Sequence, residues 1–157
     1  MTDFRLRDAG PADVVALAAL CRRASLANEG DRVALLAHPN ALVWPGPPPA
    51  PARCRVAAEG GGGRPVGFAT TVPITGTGGA VQALELEDLF VEPTHWRRGV
   101  ARRLTDDVLD GARQAGAHRI EVDANPHARD VYLAVGYVVV GETATELGTG
   151  LRMRRAV

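Results

Sequence analysis

The sequence is poor in cysteine and contains no long apolar segment. Cys21 and Cys54 are the only cysteines among 157 residues, and neither a Cys-x-x-Cys nor a paired-histidine spacing accompanies them, so we predict no metal site. No apolar run approaches the roughly 20 residues that span a bilayer, and the first residues lack the apolar segment of a signal peptide. We therefore expect a cytoplasmic protein with no membrane partner.

The chain also carries no net charge. The chain carries 18 basic and 18 acidic residues, so no overall electrostatic field would concentrate nucleic acid on it. An anionic ligand must therefore be bound by a local arrangement of residues. With 46% hydrophobic residues, the chain is long enough for one core and too short for two ordinary domains. We predict a single domain over residues 1–157.

Hydrophobic periodicity predicts a mixed α/β fold with about seven strands and about four helices. Strands are predicted at 4–7, 53–59, 65–72, 81–91, 120–122, 137–141 and 151–154. Helices are predicted after Pro11 through Cys21, at 99–115 and at 126–135, with a weaker helical pattern within 25–42. Repeated proline makes the segment 44–51 a loop, because proline removes backbone donors and fixes φ.

Four consecutive glycines, at 60–63, could be mistaken for a phosphate-binding loop. Such a loop needs a strand before it and a helix after it, and no Gly-Lys-Ser/Thr follows here. Both flanking segments alternate like strands. The glycines are therefore predicted to form a hairpin turn, as are residues 75–79.

The helix predicted at 99–115 has an unusual charge order. Helices normally place acidic residues in the first turn, because the N-terminus carries partial positive charge. This helix does the reverse: its basic residues come first and its acidic residues follow, so an external anion would stabilise its start. Small residues, Gly99 and Ala101, would let a ligand approach the free N–H groups there. These features predict a phosphate or pyrophosphate cradle, although a solvated basic face with arginine–aspartate pairs would look similar. The basic residues at its start are Arg97, Arg98, Arg102 and Arg103, and the acidic residues that follow are Asp106, Asp107 and Asp110.

This segment carries a family resemblance. Residues 93–104, which follow the acidic strand 84–91, resemble motif A of the GNAT acetyltransferases, whose core is Gln/Arg-x-x-Gly-x-Gly/Ala. Gly99 and Ala101 match that core. Trp96 departs from it, since it stands where the family usually has Gln or Arg.

A second segment supports the resemblance. Residues 125–137 are similar to the family's motif B, with Asn125 at its start and Tyr132 spaced correctly from Gly136 and Tyr137. The opening strand and helix also resemble those of the family. The resemblance covers most of the chain and weakens between residues 25 and 52.

The resemblance implies the GNAT fold, a mostly antiparallel mixed sheet splayed between its fourth and fifth strands, and acetyl-CoA as co-substrate. In the family, backbone groups at the positions of Leu89 and Val91 bond the pantetheine arm. Asn125 could contact the cofactor or only cap a helix. The residues implied to bind the cofactor are Leu89, Phe90, Val91, Trp96, Arg97, Arg98, Gly99, Val100, Ala101, Arg102, Asn125 and Tyr132.

The resemblance also implies catalytic roles. Tyr132 occupies the position of the family's general acid, although a packed helix aromatic is the simpler interpretation. Glu85 and Glu87 point to the same side of their strand, because side chains alternate. Either could accept a proton from the amine, directly or through water. Alternatively, both belong to a solvated acidic face that attracts a cationic acceptor.

We therefore predict transfer of an acetyl group from acetyl-CoA to a primary amine of a small molecule, by direct attack in a ternary complex. One alternative is acetylation of protein N-termini or lysines, which would need an open peptide groove. Another is a non-catalytic acyl-CoA-binding regulatory module. The loop at 44–51 is either a stiff connector or a wall of the acceptor pocket. A homodimer is possible, since dimers are common in the family.

Overall fold

The computed structural model describes residues 3–60 and 63–157. Seven strands and four α-helices lie within them, and the bounds are close to those predicted. The strands are Phe4–Asp8 (β1), Arg53–Glu59 (β2), Pro65–Thr75 (β3), Val81–Val91 (β4), Arg119–Ala124 (β5), Val138–Thr145 (β6) and Gly148–Ala156 (β7). The helices are Val14–Ala27 (α1), Glu29–Ala37 (α2), Val100–Ala115 (α3) and Arg129–Ala134 (α4). Short 3-10 turns occupy Pro11–Asp13, Pro39–Leu42, Pro93–His95 and Pro126–Ala128.

The strands form one sheet in the order β1-β2-β3-β4-β5-β7-β6. All neighbouring strands are antiparallel except β4 and β5, which run parallel. That parallel pairing is short: it joins residues 83–85 to 119–121 and then stops, while both strands continue. The sheet therefore splays between its fourth and fifth strands, which confirms the predicted fold.

Two hydrophobic cores cover the two faces of the sheet. The larger core packs α3 and α4 against one face, through residues such as Leu104 and Tyr132. The smaller core packs α1 and the loop residue Trp44 against the other face. The helix α3 ends where the sequence predicts, because Gly116 adopts a left-handed φ of 75°. The N–H of Ala117 then donates to the carbonyl of Ala112 and closes the helix.

A bulge in β4 decides which face each of its side chains meets. Thr70 of β3 pairs with Asp88 and Thr71 pairs with Leu86, so Glu87 is an extra residue without a partner on β3. Before the bulge, the even-numbered leucines of β4 belong to the α3 core. After it, Leu89 and Val91 contact that core and Phe90 turns to the α1 core.

The structure differs from the predicted elements in several places. The first helix, α1, continues past Cys21 to Ala27, and the helix predicted at 126–135 begins as the 3-10 turn Pro126–Ala128. The weak helical pattern within 25–42 corresponds to α2 and the turn Pro39–Leu42. The last two strands are longer than predicted, since they continue to Thr145 and begin again at Gly148, and they pair along this whole length. The predicted glycine turn joins β2 and β3, which pair as expected, but its Gly61 and Gly62 lie outside the described residues.

Candidate active site

The start of α3 is a backbone cradle. Gly99, the residue before the helix, has φ 83° and ψ 7°, and Arg97 also has a positive φ of 61°. No side chain caps this helix end. The N–H of Arg103 is the first to reach a helical carbonyl, that of Gly99, at 3.0 Å, so the N–H groups of the first helical turn are free for a ligand. A run of positive-φ backbone next to free N–H groups is an anion-binding nest.

Gly99 also leaves space above the cradle. A Cβ built on it would meet no atom within 4 Å, so the glycine is required for its backbone conformation and not by crowding within the chain. Val100 is buried in the α3 core and anchors the first turn. The cradle is thus anchored to the core through Val100 and open to solvent at Gly99.

The predicted arginines divide into two groups. Arg97 and Arg98 are exposed, and in the described residues no carboxylate lies within 4 Å of either. Arg102 donates to the carbonyl of Ala134 at 3.3 Å, which ties α3 to the end of α4. Arg103 lies over the Phe4 ring, 5.5 Å from its centre. The basic charge at the cradle therefore comes mainly from the first two.

The splayed end of β4 presents free backbone groups. The N–H of Glu92 donates to the carbonyl of Val66 on β3 at 2.8 Å. Because backbone groups alternate along a strand, those of Leu89 and Val91 point away from β3, into the splay. Phe90 is not brought there: its backbone faces β3, and its side chain packs on Phe68 with 5.6 Å between ring centres.

Trp96, the residue that departs from the family motif, joins the splay to the cradle. Its indole N–H donates to the carbonyl of Val91 at 2.9 Å. The side chain is 42% exposed. It therefore occupies one of the splay-facing carbonyls with a hydrogen bond from within the chain.

Two polar pairs, each with one buried member, brace the loop between β4 and α3. Arg23 of α1 holds both oxygens of Glu92, at 2.9 and 2.7 Å. These hydrogen bonds hold the pKa of Glu92 below its usual range, although burial alone would raise it. His95 bonds Glu59 of β2 at 2.6 Å. The cradle therefore rests on side chains from α1 and β2.

Tyr132 lies on α4 and is 7% exposed. Its ring packs edge-on against Tyr137, with 5.3 Å between ring centres. Burial raises the pKa of Tyr132 well above that of a free phenol, and the charges of Tyr137 and Asp88 raise it further. The phenol keeps its proton at neutral pH, so it can donate a hydrogen bond.

Glu85 is held by an arginine. Arg152 of β7 donates to both of its oxygens, at 2.7 and 2.9 Å, across the point where β4 and β5 separate. The same guanidinium bonds Asp123 and Glu121 of β5, each at 2.9 Å. Arg154 also bonds Glu121, at 2.7 Å. The wall formed by β5 and β7 is thus a ladder of compensated charges.

Glu87 has no such partner. It is exposed at the bulge, and no ion pair or hydrogen bond involves its carboxylate in the part of the chain that the structure describes. Burial, together with the neighbouring negative charges of Asp88 and Glu85, raises its pKa. A carboxylate with a raised pKa is a better proton acceptor than an arginine-bound one.

Asp88 and Trp44 are the residues that sequence reasoning missed. The Trp44 indole N–H donates to an oxygen of Asp88 at 3.0 Å, and its ring packs on Phe68 with 4.9 Å between centres. Strict alternation along β4 would have placed Asp88 on the α3 face, opposite to Glu85 and Glu87. No pattern in the sequence reveals the bulge that reverses this.

Asn125 does not act as a helix cap. It precedes the turn Pro126–Ala128, where its side chain makes no capping hydrogen bond and only its carbonyl accepts from Ala128, at 2.9 Å. Its side chain is exposed. The amide is therefore available to a ligand at the edge of the splay.

Two cavities lie away from these residues. One of about 120 Å³ lies beside α3, between Arg55 and Val108, and no predicted site residue lines it. The other, of about 450 Å³, lies between the end of α2 and the tip of the β6–β7 hairpin. His38, Asn40 and Glu146 supply its polar lining. Within the described residues no helix is long and apolar enough to cross a membrane.

Comparison with known proteins gives the family. The family model described as "Acetyltransferase (GNAT) family" matches residues 28–137, which is more than half of the chain. The chain therefore belongs to the GNAT acetyltransferase family. A search of curated proteins finds no significant match.

Solved structures agree on the fold. Nourseothricin acetyltransferase is 23% identical, with a TM-score of 0.72 and 99% of each chain covered. The protein yncA of Salmonella typhimurium, solved with its cofactor acetyl-CoA, is 17% identical, with a TM-score of 0.67 over 99% of this chain and 94% of its own. An aminoglycoside 6'-N-acetyltransferase, solved with coenzyme A, is 15% identical, with a TM-score of 0.69 over 97% and 96%.

Proposed function

We propose that this protein transfers an acetyl group from acetyl-CoA to a primary amine of a small molecule. The observation that carries the proposal is the combination of three features at the splay: the nest at Gly99, the free backbone of Leu89, and the buried phenol of Tyr132. Family membership supports acetyl transfer. The bound acetyl-CoA or coenzyme A of two structural neighbours supports this cofactor.

The cofactor would be held mainly by backbone. Its pyrophosphate fits the N–H groups of Val100, Ala101 and Arg102, with the exposed Arg97 and Arg98 adding positive charge. The open space above Gly99 suits such a ligand. The pantetheine arm, which resembles an extra strand in its spacing of polar groups, would bond the backbone of Leu89.

The amine would attack the acetyl carbonyl directly. Tyr132 would donate a hydrogen bond to the departing sulfur, because its raised pKa keeps it protonated. That same raised pKa makes full proton transfer to a thiolate unfavourable. Stabilisation of the developing negative charge is therefore its main role.

The amine must lose a proton, and a carboxylate of β4 is the candidate acceptor. Between the two predicted bases the contacts favour Glu87. Both oxygens of Glu85 accept bonds from Arg152, whereas Glu87 has no ion pair among the described residues and its pKa is raised.

A small acceptor is compatible with the open depression of about 450 Å³ between the end of α2 and the tip of the β6–β7 hairpin, which none of the predicted site residues lines. This volume suits a small organic molecule. It is bounded by His38 and Asn40 on one side and by the hairpin residue Glu146 on the other. Two structural neighbours act, by their names, on nourseothricin and aminoglycosides, which also supports a small-molecule amine.

Thiol release tests the proposal directly. Purified protein with acetyl-CoA should release free thiol when small primary amines are added, and less when peptides with a lysine or a free N-terminus are added. Preference for the peptides would instead indicate protein acetylation. Binding of acetyl-CoA without turnover on any amine would indicate a regulatory module, and absence of binding would refute the proposal.

A further inference from the structure

A third carboxylate of β4 is better situated than either predicted base. The bulge at Glu87 turns Asp88 toward the face that α1 covers, where Trp44 bonds it. In the described residues no arginine or histidine lies within 4 Å of Asp88, unlike Glu85 with its Arg152. The half-buried Asp88 carboxylate therefore has no positively charged partner among the described residues and can bind a cation.

Asp88 also lies close enough to Tyr132 for its charge to act on the phenol. Its charge reaches the hydroxyl of Tyr132, whose pKa it helps to raise, and neither Glu85 nor Glu87 contributes to that effect. It also acts on Cys21 of α1 and Cys54 of β2. Asp88 is thus the strand carboxylate coupled both to the candidate acid and to the acceptor face.

We propose that Asp88 binds the ammonium group of the acceptor and accepts its proton, and that Trp44 is the positioning residue that orients the Asp88 carboxylate. This inference rests on the proposed acetyl transfer. Asp88, and not Glu87, then accepts the proton directly. Glu87 is its exposed neighbour, through which the proton can pass to water.

The step balances as follows. The ammonium ion gives one proton to Asp88, and the neutral amine attacks the acetyl carbon. A C–N bond forms and the C–S bond breaks, so the thiolate leaves with the bonding electron pair. The second amine proton neutralises that thiolate, which the Tyr132 hydroxyl stabilises by a hydrogen bond until then, and Asp88 returns its own proton to water. The products are the amide, the free thiol and one proton.

Trp44 makes the role testable through a single hydrogen bond. Its indole N–H is the donor to Asp88, and its ring packs on Phe68. Trp44→Phe therefore removes the donor and keeps an aromatic ring in place. The thiols near Asp88 do not compete for the role, because burial raises the pKa of Cys21 to about 11 and also raises that of Cys54.

The experiment compares four variants under saturating acetyl-CoA. Asp88→Asn, which can still accept the Trp44 bond, should lower kcat/KM for the amine about 100-fold and leave acetyl-CoA affinity within threefold of wild type. Glu87→Gln should have a smaller effect. Trp44→Phe should lower kcat for the amine about fivefold, because the Asp88 carboxylate loses the hydrogen bond that orients it, and should leave acetyl-CoA affinity within threefold of wild type. Asp110→Asn, an exposed carboxylate on α3, is the control and should match wild type.

The outcomes separate the two proposals. Less than a threefold loss in Asp88→Asn would overturn the role of Asp88, and an unchanged kcat in Trp44→Phe would overturn that of Trp44, while acetyl transfer itself would stand. Unfolding curves and acetyl-CoA titrations of each variant exclude loss of fold as the cause. Absence of thiol release from wild type with every amine would remove acetyl transfer and this inference together.

Discussion

The two sides of the splayed sheet are encoded differently in the chain. The cofactor side is nearly continuous in sequence: the end of β4, the cradle and the first turn of α3 follow one another within 84–104. The acceptor side is assembled from distant segments. Trp44 and Asp88 are 44 residues apart, and Glu85 and Arg152 are 67 apart.

This difference explains why the two sides differ in how readily their chemistry is predicted. A nest needs only backbone angles and free N–H groups, which a short segment fixes by itself. A carboxylate's role depends on which groups come to face it after folding. Glu85 and Glu87 look equivalent in the sequence, yet one is bound by an arginine and the other is not.

The largest expected effect is at Tyr132, which is proposed to act on the sulfur of the cofactor while the acceptor attacks. Tyr132→Phe should lower kcat about 100-fold, because the hydrogen bond to the departing sulfur is lost. Acetyl-CoA affinity should change little, since the phenol contributes at the reacting end only. Steady-state kinetics and calorimetric titration with acetyl-CoA measure both effects.

Tyr137→Phe is the matched control. Its hydroxyl is buried with no hydrogen-bond partner among the described residues, so its removal should leave kcat unchanged and not lower the free energy of unfolding. Equal losses of activity in the two variants would mean that the aromatic packing, and not the Tyr132 hydroxyl, matters.

A change at Gly99 should affect the cofactor side alone. Gly99→Ala places a Cβ on a left-handed residue, which costs about 1–2 kcal/mol. Acetyl-CoA should therefore bind roughly 5- to 30-fold more weakly, as measured by titration, while the acceptor KM stays near its wild-type value.

Gly116→Ala provides the comparison for this change. Gly116 ends the same helix with φ 75° and equally open surroundings. Gly116→Ala should lower the free energy of unfolding by a similar amount without weakening acetyl-CoA binding. A loss of affinity in both variants would show that helix stability, and not the nest, sets binding.

The smallest expected effect concerns Arg23, which links α1 on the acceptor side to the cradle loop. Because Arg23 holds the pKa of Glu92 below its unfolded value, this pair stabilises the fold above the unfolded pKa of a glutamate. That stabilisation is lost as the pH falls through the lower, folded pKa. Arg23→Gln should therefore lower Tm by a few degrees at pH 7 and by much less at pH 3.

Thermal unfolding at several pH values measures the difference. Arg113→Gln, which alters an exposed pair on α3, should shift Tm little at any pH. A constant gap between Arg23→Gln and wild type from pH 7 to pH 3 would contradict the assigned ion pair.

Much of the fold could be predicted because its signals are local. The long strand β4 and the amphipathic α3 have clear periodicities, and Gly116 marks the helix end. The hairpin at 141–152 is less predictable: its glycines and threonines have no strong periodicity. Its strands are extended by their mutual pairing instead. The homodimer and the cytoplasmic location stay predictions.

The candidate site follows the same division. The positive φ of Gly99 agrees with its position in the motif. Phe90 was also predicted to bind the cofactor, but its backbone faces β3 and not the splay. Alternation from Glu85 would predict that Asp88 lies on the opposite side of the strand. The single extra residue at Glu87 reverses that side, and no composition or spacing announces it.

The sequence by itself therefore determined the family, the order of elements and the left-handed glycine at the start of α3, since these depend on local spacing and backbone preference. The tertiary structure decided the state of the strand carboxylates: Arg152 neutralises Glu85, Trp44 holds Asp88, and Glu87 stays exposed at the bulge. The physical reason is that the protonation and reach of a charged group are set by burial and by neighbours, and these neighbours come from distant parts of the chain.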